Sequence, residues 1–221
     1  MKEQYFKELS RCLRKEQIES IAVGEDQFKV YLGGKPVLSV SPNSEVYILP
    51  AGSGSEEVDD LYHRVAAIAD EVHEYVEAVE NAPILRAADL HEEFHLLADF
   101  GGAVLAGRER EQGQGYQFVT WVWDFDRLGV SHGHYYEGDF RSAKQDFAVR
   151  SGLISQAQLF TPEQLTELYR ATDYYLETGP EPEEPQLKAL QEARTKIEYV
   201  VPDLQTRLEQ AQEQEQGLQM N

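Results

Sequence analysis

Residues 90–100 read LHEEFHLLADF, and His91-Glu92-Glu93-Phe94-His95 inside them matches the H-E-x-x-H pattern of zinc hydrolases. That chemistry requires a helix. One turn brings the two imidazoles onto one side, within reach of a single ion, and the adjacent Glu polarises the bound water. On a strand the same four-residue step separates the histidines by about 13 Å. Phe94, Leu96, Ala98 and Phe100 alternate with His95, Leu97 and Asp99, and Gly101-Gly102 then turns the chain. This pattern predicts a strand with its apolar residues inward, His95 on the solvent face and His91 before the strand. Asp99 and Glu109 lie nearby, but neither occupies a recognisable third-ligand position. No metal and no cofactor is expected at His91 and His95.

A second group of chemistry-bearing residues lies in DFDRLGVSHGHYYEGD. A three-residue loop at Arg127-Leu128-Gly129 would set Asp124 opposite His132, Trp123 opposite Gly133 and Val122 opposite His134. One face would then carry Trp121, Trp123, Phe125 and Tyr135 as core, with Gly133 leaving room for Trp123. The other would carry Thr120, Asp124, His132, His134 and Tyr136. Asp124 facing His132 could orient the imidazole as an acid, base or ligand. Asp124, His132, His134 and Tyr136 are therefore the candidate polar site, against the plainer reading of a solvated sheet face. The sequence contains no glycine-rich phosphate loop, no G-x-S-x-G elbow and no Cys/His zinc spacing. No catalytic residue is assigned.

These residues need elements to hold them. Apolar spacing predicts a helix over 2–16, and QFKVYL, PVLSV and EVYILP read as strands, with Gly33-Gly34 as the first hairpin turn. A long helix follows over 56–81, apolar at Val58, Leu61, Val65, Ile68, Val72, Tyr75 and Val79, and stopped by Pro83. EEFHLLADF, AVLAGRER, YQFVTWVWDFD and VSHGHYY predict a four-stranded antiparallel sheet. A helix closed by Gly152 comes next. Thr161, Pro162 and Gln164 signal a further helix start, with Phe160 stapled onto Leu165. Beyond the acidic linker GPEPEEP, helices are expected over 186–200 and 203–216, with a frayed Gln/Glu-rich tail. The expected class is α+β with a helical C-terminus. The expected parts are an αβββα unit over 1–82, a sheet with two helices over 83–180, and a helical segment over 181–221. Both β sections run over a Gly-Gly hairpin and end in a helix, an order consistent with two similar halves.

At 221 residues and 41% apolar content, the chain can bury a substantial core. Its single cysteine, Cys12, rules out an internal disulfide framework and fits a reducing cytoplasm. The charged N-terminus lacks the apolar core of a signal peptide, and no run approaches the ~20 apolar residues of a membrane span. Net charge is −20, distributed unevenly: residues 1–35 sum to +1 and the remainder to −21. Only Lys7, Arg11, Arg14 and Lys15 of the first helix could offer a basic patch, which argues against direct binding of nucleic acid. The plain reading of the acidity is a solvated surface that gives solubility, and the sharper ones are attraction to a basic protein partner or imitation of a polyanion.

The stretch LHEEFHLLADFGGAVLAGRE…YQFVTWVWDFDRLGVSHGHYY…AKQDFAVRSGLI…LFTPEQL resembles an uncharacterised family of gut Firmicutes whose members travel with mobile elements. The resemblance covers about residues 60–205, and AKQDFAVRSGLI is its most specific piece. It implies a bacterial cytoplasmic protein and brings no catalytic residues, because the family has no assigned activity. The expectation is a non-enzymatic accessory protein that binds a protein partner. The alternatives are a DNA-mimic antirestriction protein, for which Glu71, Glu74, Glu77 and Glu80 would supply part of a carboxylate row, and a metal-dependent hydrolase using one of the His pairs.

Overall fold

The structure, a computed structural model, describes residues 2–24, 26–88 and 90–219, without the side chains of Gln112 and of 212–219. The elements run α1 (Lys2–Lys15), β1 (Ser20–Val23), β2 (Gln27–Leu32), β3 (Lys35–Val40), β4 (Val46–Ile48), α2 (Glu56–Asn81), β5 (His95–Phe100), β6 (Ala103–Glu109), β7 (Tyr116–Trp123), β8 (Val130–Tyr136), α3 (Phe140–Arg150), α4 (Pro162–Thr178), α5 (Glu184–Val200) and α6 (Leu204–Gln219). The α+β class follows directly: two four-stranded antiparallel sheets, ordered β1-β2-β3-β4 and β5-β6-β7-β8, with helices beside them.

The first sheet has one strand more than its sequence suggests. β1 is four residues long, and none of them is fully buried. With no buried face, it leaves no alternation to read. Both Gly-Gly pairs form hairpin turns with positive φ at each glycine: 57° and 75° at Gly33-Gly34, 57° and 82° at Gly101-Gly102. These values suit the type I′ turn, whose twist matches that of the flanking strands. The two turns are not equivalent, however. Gly33-Gly34 joins the second and third strands of its sheet, Gly101-Gly102 the first and second of the other. The α-ββββ-α order recurs, but alignment on the glycines is out of step by one strand.

The chain forms two compact units, residues 1–154 and 155–221. In the first, a continuous core runs from Tyr5, Leu9 and Leu13 of α1 through Phe28, Val30 and Leu38 of the first sheet to Val65, Val72 and Tyr75 of α2. It continues into Leu105 and Phe118 of the second sheet and Phe140 and Phe147 of α3. The 82/83 division read from the sequence falls inside this core, because α2 contributes to both halves. Leu85, Phe94, Val104, Ala106, Val119 and Trp121 form a separate cluster on the other face of the second sheet. β7 is therefore buried on both sides from Tyr116 to Trp121.

The second unit is built on α4, α5 and α6, with Tyr169, Ile197, Val201 and Leu204 at its centre. The capping box is formed: the Gln164 amide donates to Thr161 Oγ1 at 3.2 Å, and the Thr161 amide donates to Gln164 Oε1 at 2.9 Å. Phe160, expected to staple onto Leu165, is 54% exposed, while Leu165 packs on the core. Arg207 of α6 pairs with Glu163 of α4 at 2.8 Å and with Asp203 at 2.9 Å. The backbone stays helical to Gln219 rather than fraying near 209, in keeping with the helix propensity of Glu, Gln and Ala. The last two residues of the tail lie outside the described residues.

Candidate functional site

His91 and His95 do not share a helical turn. His91 sits on irregular chain and His95 opens β5. The His95 ring is half-buried rather than solvent-facing, with Nδ1 2.8 Å from the Ala82 carbonyl. It ties the segment after α2 to the sheet edge, where Ile84 bridges to His95. A bulge between Leu96 and Ala98 also breaks the expected alternation. Phe94 and Leu96 pack in the smaller cluster, Leu97 and Ala98 against the main core, and Phe100 is 56% exposed. Among the described residues no group of three or more His, Cys, Asp and Glu side chains is arranged to hold a metal ion.

The β7–β8 register differs from the three-residue loop. Trp123 faces Val130, Val122 faces Ser131 and Thr120 faces His134. The loop is Asp124–Gly129, closed by the Asp124 amide donating to the Gly129 carbonyl at 2.9 Å. Asp124 is thus an exposed loop residue and does not face His132. His132 and Gly133 together lie opposite Trp121, which makes a bulge with His132 at φ 53°. Gly133 makes room for Trp121, not Trp123: a Cβ there would lie 2.5 Å from Trp121 Nε1. Trp121 is 4% exposed on the smaller cluster, whereas Phe125, expected in the core, is fully exposed on the loop.

The opposite face of β7 and β8 is not open surface, because α3 lies on it. Thr120 is fully buried and donates through Oγ1 to Asp146 Oδ2. His134 Nδ1 lies 3.1 Å from the same oxygen. The phenol of Tyr136, half-buried beside Asp146, is pushed above its ordinary pKa by burial and then by that carboxylate. Arg150 donates to the Thr120 carbonyl at 2.9 Å, to Thr120 Oγ1 at 2.8 Å and to the His132 carbonyl at 2.6 Å. Of the four candidate residues, the fold thus joins His134 and Tyr136 through Asp146. It holds His132 by its backbone and leaves Asp124 apart. An Asp-oriented imidazole can move a proton, but Thr120 is sealed from any substrate and Arg150 is committed to β7 and β8. The geometry pins α3 to the sheet through a carboxylate and a guanidinium, with the His134 ring exposed at the edge of the joint.

A second polar centre escaped the sequence reading. Glu8 of α1, only 3% exposed, receives Arg11 Nε at 2.7 Å, Arg11 Nη2 at 2.6 Å and the Tyr75 hydroxyl at 2.7 Å. Cys12 Sγ lies 3.5 Å from that hydroxyl, and burial raises the thiol pKa. A signal was present: Glu8 lies one turn from Tyr5 and Cys12, on the apolar stripe of an amphipathic helix, where an unpaired carboxylate would be costly. The guanidinium packs where a Cβ on Gly115 would lie, and Gly115 has φ 85°. Beside this centre is a cleft of about 310 Å³ lined by Arg11, Cys12, Tyr75, Glu71, Glu137 and Asp139.

The surface of α2 is the remaining feature with chemical character. Its outward stripe is Glu56, Asp60, His63, Ala67, Asp70, Glu74, Glu77 and Asn81, all exposed and spaced alternately by four and three. Of the row expected from sequence, Glu74 and Glu77 belong to this stripe. Glu80 is exposed beside it, and Glu71 turns inward to line the cleft.

Fold and centres together define an α+β protein with two antiparallel four-stranded meanders, polar joints between its elements and a long acidic helix. Comparison with protein-family models, curated proteins and solved structures finds no match for this chain. Among the described residues no helix is long and apolar enough to cross a membrane.

Proposed function

We propose that this is a non-enzymatic accessory protein of a bacterial mobile element, and that it binds a basic protein partner through the acidic outward stripe of α2. The observation that carries this reading is the alignment of Glu56, Asp60, Asp70, Glu74 and Glu77 on one exposed line of a 26-residue helix. A helix of that length spans about 39 Å. Glu74 is bound by Lys144 at 2.7 Å in an exposed pair that exchanges readily with water or a partner, and the exposed Glu77 lies 3.8 Å from the half-buried His73. Such a stripe steers and orients a cationic surface, contributing to specificity and on-rate. The hydrogen bonds by which Asp146 and Glu8 join neighbouring elements support a structural role for both. That role leaves the surface as the functional element.

The DNA-mimic reading needs a higher charge density. Duplex DNA carries one charge per ~1.7 Å of axis. The eight exposed carboxylates of α2 (Glu56, Glu57, Asp59, Asp60, Asp70, Glu74, Glu77 and Glu80) average roughly one per 5 Å over that helical length, with a gap from Asp60 to Asp70. A basic protein patch fits this distribution better than a DNA-binding groove does.

The test is affinity capture from host extract with the wild-type chain and with Asp70→Lys/Glu74→Lys/Glu77→Lys. A partner retained by the wild type and released by the variant supports the reading. No retained protein, or equal retention by both, overturns it. Displacement of DNA from a restriction enzyme by the wild type would establish the mimic instead.

A further inference from the structure

The groove between α1 and β1 carries chemistry opposite to the rest of the molecule. Its volume is about 800 Å³, and its walls include Phe6, Ala22, Lys2, Glu3, Lys7 and Arg14. Phe6 stacks on Phe28 of the neighbouring strand, ring centres 5.4 Å apart, so the apolar side of the groove is part of the core. Among the described residues three cations and one carboxylate line it, in a chain of net charge −20. Lys2 pairs with Asp26 at 2.7 Å and Lys7 with Glu109 at 3.4 Å, both between exposed side chains. Pairs of that kind contribute only about 0–1 kcal/mol and rearrange at little cost. Arg14 is exposed and has no ion-pair partner among the described residues.

The other wall is a sheet edge. β1 pairs only with β2 and is the outermost strand of its sheet. Natural edges are usually blunted by an inward charge, a proline or a covering segment. Ser20–Val23 has neither charge nor proline, and Ile21 and Val23 are 50% and 42% exposed. An open edge beside an apolar floor and a cationic rim has the three parts that a strand-adding peptide requires: backbone pairing for affinity, and alternate side chains reading the floor and the rim.

We infer that the α1–β1 groove binds an extended acidic peptide segment of a partner protein, which pairs with β1 as a fifth strand and sets its carboxylates against Lys2, Lys7 and Arg14. The carboxylates nearest the groove, Glu3, Asp26 and Glu109, are exposed and can turn away as the peptide arrives, and fields from carboxylates more than about 8 Å away are screened at physiological salt. This surface is separate from the α2 stripe, and the inference stands without the function proposed above.

The probe is a short fluorescein-labelled peptide of alternating Glu and Val, titrated by anisotropy against the full-length chain, with amide exchange followed in parallel. The expected result is saturable binding that weakens with salt, falls about tenfold or more in Arg14→Glu and in Lys7→Glu, and slows exchange at Ile21–Val23. Both variants change exposed residues, and circular dichroism confirms their folding. The inference is overturned by absent binding, by equal binding of a Lys-Val peptide, by unchanged affinity in both variants or by unaltered exchange in β1. Tighter binding of a single-stranded oligonucleotide than of the peptide would also overturn it, marking a general polyanion site.

Discussion

The hydroxyl of Tyr75 donates to Glu8 Oε1 at 2.7 Å, across 67 residues of chain. Through this bond the C-terminal half of α2 is fastened to the middle of α1. The same Tyr75 ring packs edge-on against Phe118 of the second sheet at 5.3 Å and against Phe140 of α3 at 5.9 Å. One side chain therefore connects four elements. Glu8 satisfies both that phenol and the Arg11 guanidinium, so the centre behaves as a unit.

Removing Glu8 should be among the most destabilising single changes in α1. Glu8→Ala strands a partly buried guanidinium and a buried phenol, and we expect a loss of about 3–5 kcal/mol. Tyr75→Phe, which deletes the hydrogen bond to Glu8 and the weaker one shared with Cys12, should cost about 1–2 kcal/mol. Urea midpoints at neutral pH measure both. A Glu8→Ala loss below that of Tyr75→Phe would show that Arg11 simply turns to solvent.

His132 occupies a backbone conformation, φ 53°, that glycine adopts without strain. Its exposed ring lies 3.0 Å from Ser131 Oγ, a surface contact, so little is lost with the side chain. His132→Gly should be neutral to about 1 kcal/mol stabilising, whereas His132→Val should destabilise by about 1–3 kcal/mol. Thermal unfolding of the two variants reads the difference. A less stable glycine variant would assign the imidazole a role beyond the turn.

Gly133→Ala places a methyl group against the Trp121 indole, itself 4% exposed. Overpacking of this kind costs about 1–3 kcal/mol. Because Trp121 must shift, its emission should move to longer wavelength in the folded variant. An unchanged spectrum together with unchanged stability would contradict the bulge geometry.

Alkaline pH should unfold the protein. Burial, the leading cause in each case, raises Cys12 from its ordinary value of 9.0 and Tyr5, Tyr75 and Tyr116 from 10.0. A group whose folded pKa lies above its unfolded one holds its proton longer when folded. Its contribution is complete below the unfolded pKa and is lost as pH rises past it. The melting temperature should therefore fall progressively above about pH 9. Native Cys12 should also react slowly with iodoacetamide at pH 8, and rapidly once unfolded. Fast alkylation of the native protein would show that the thiol is not held as the structure places it.

Much of the fold is legible in the residues. The long helix is bounded by SerGlu-Glu at one side and Pro83 at the other, and its apolar period is uninterrupted, so its limits of 56 and 81 follow directly. The two Gly-Gly turns, the four strands after Pro83 and the start at Thr161-Pro162 are likewise local chemistry. β1 is not legible, because it has no buried face to impose alternation.

The candidate polar site was legible only in part. The sequence places His134 and Tyr136 on one face of β8 at any register, since side chains two apart share a face. It cannot place Asp146, which arrives from α3, nor bring Arg150 back onto Thr120. The pairing of Asp124 with His132 failed because a hairpin register depends on how many residues the loop absorbs. Here the bulge at His132-Gly133 absorbs one more.

For the same reason LHEEFHLLADF is strand-like by sequence, and its glycines alone exclude a long helix. Which of its side chains reach the core was decided by the bulge at Leu97, by the packing of Phe94 with Leu85 in the smaller cluster, and by the Ala82 carbonyl that takes the His95 ring. Periodicity and turn chemistry are set within a few residues and can be read along the chain. Register, bulges and the partners of buried polar groups are set by packing between distant segments, and they exist only once the chain has folded.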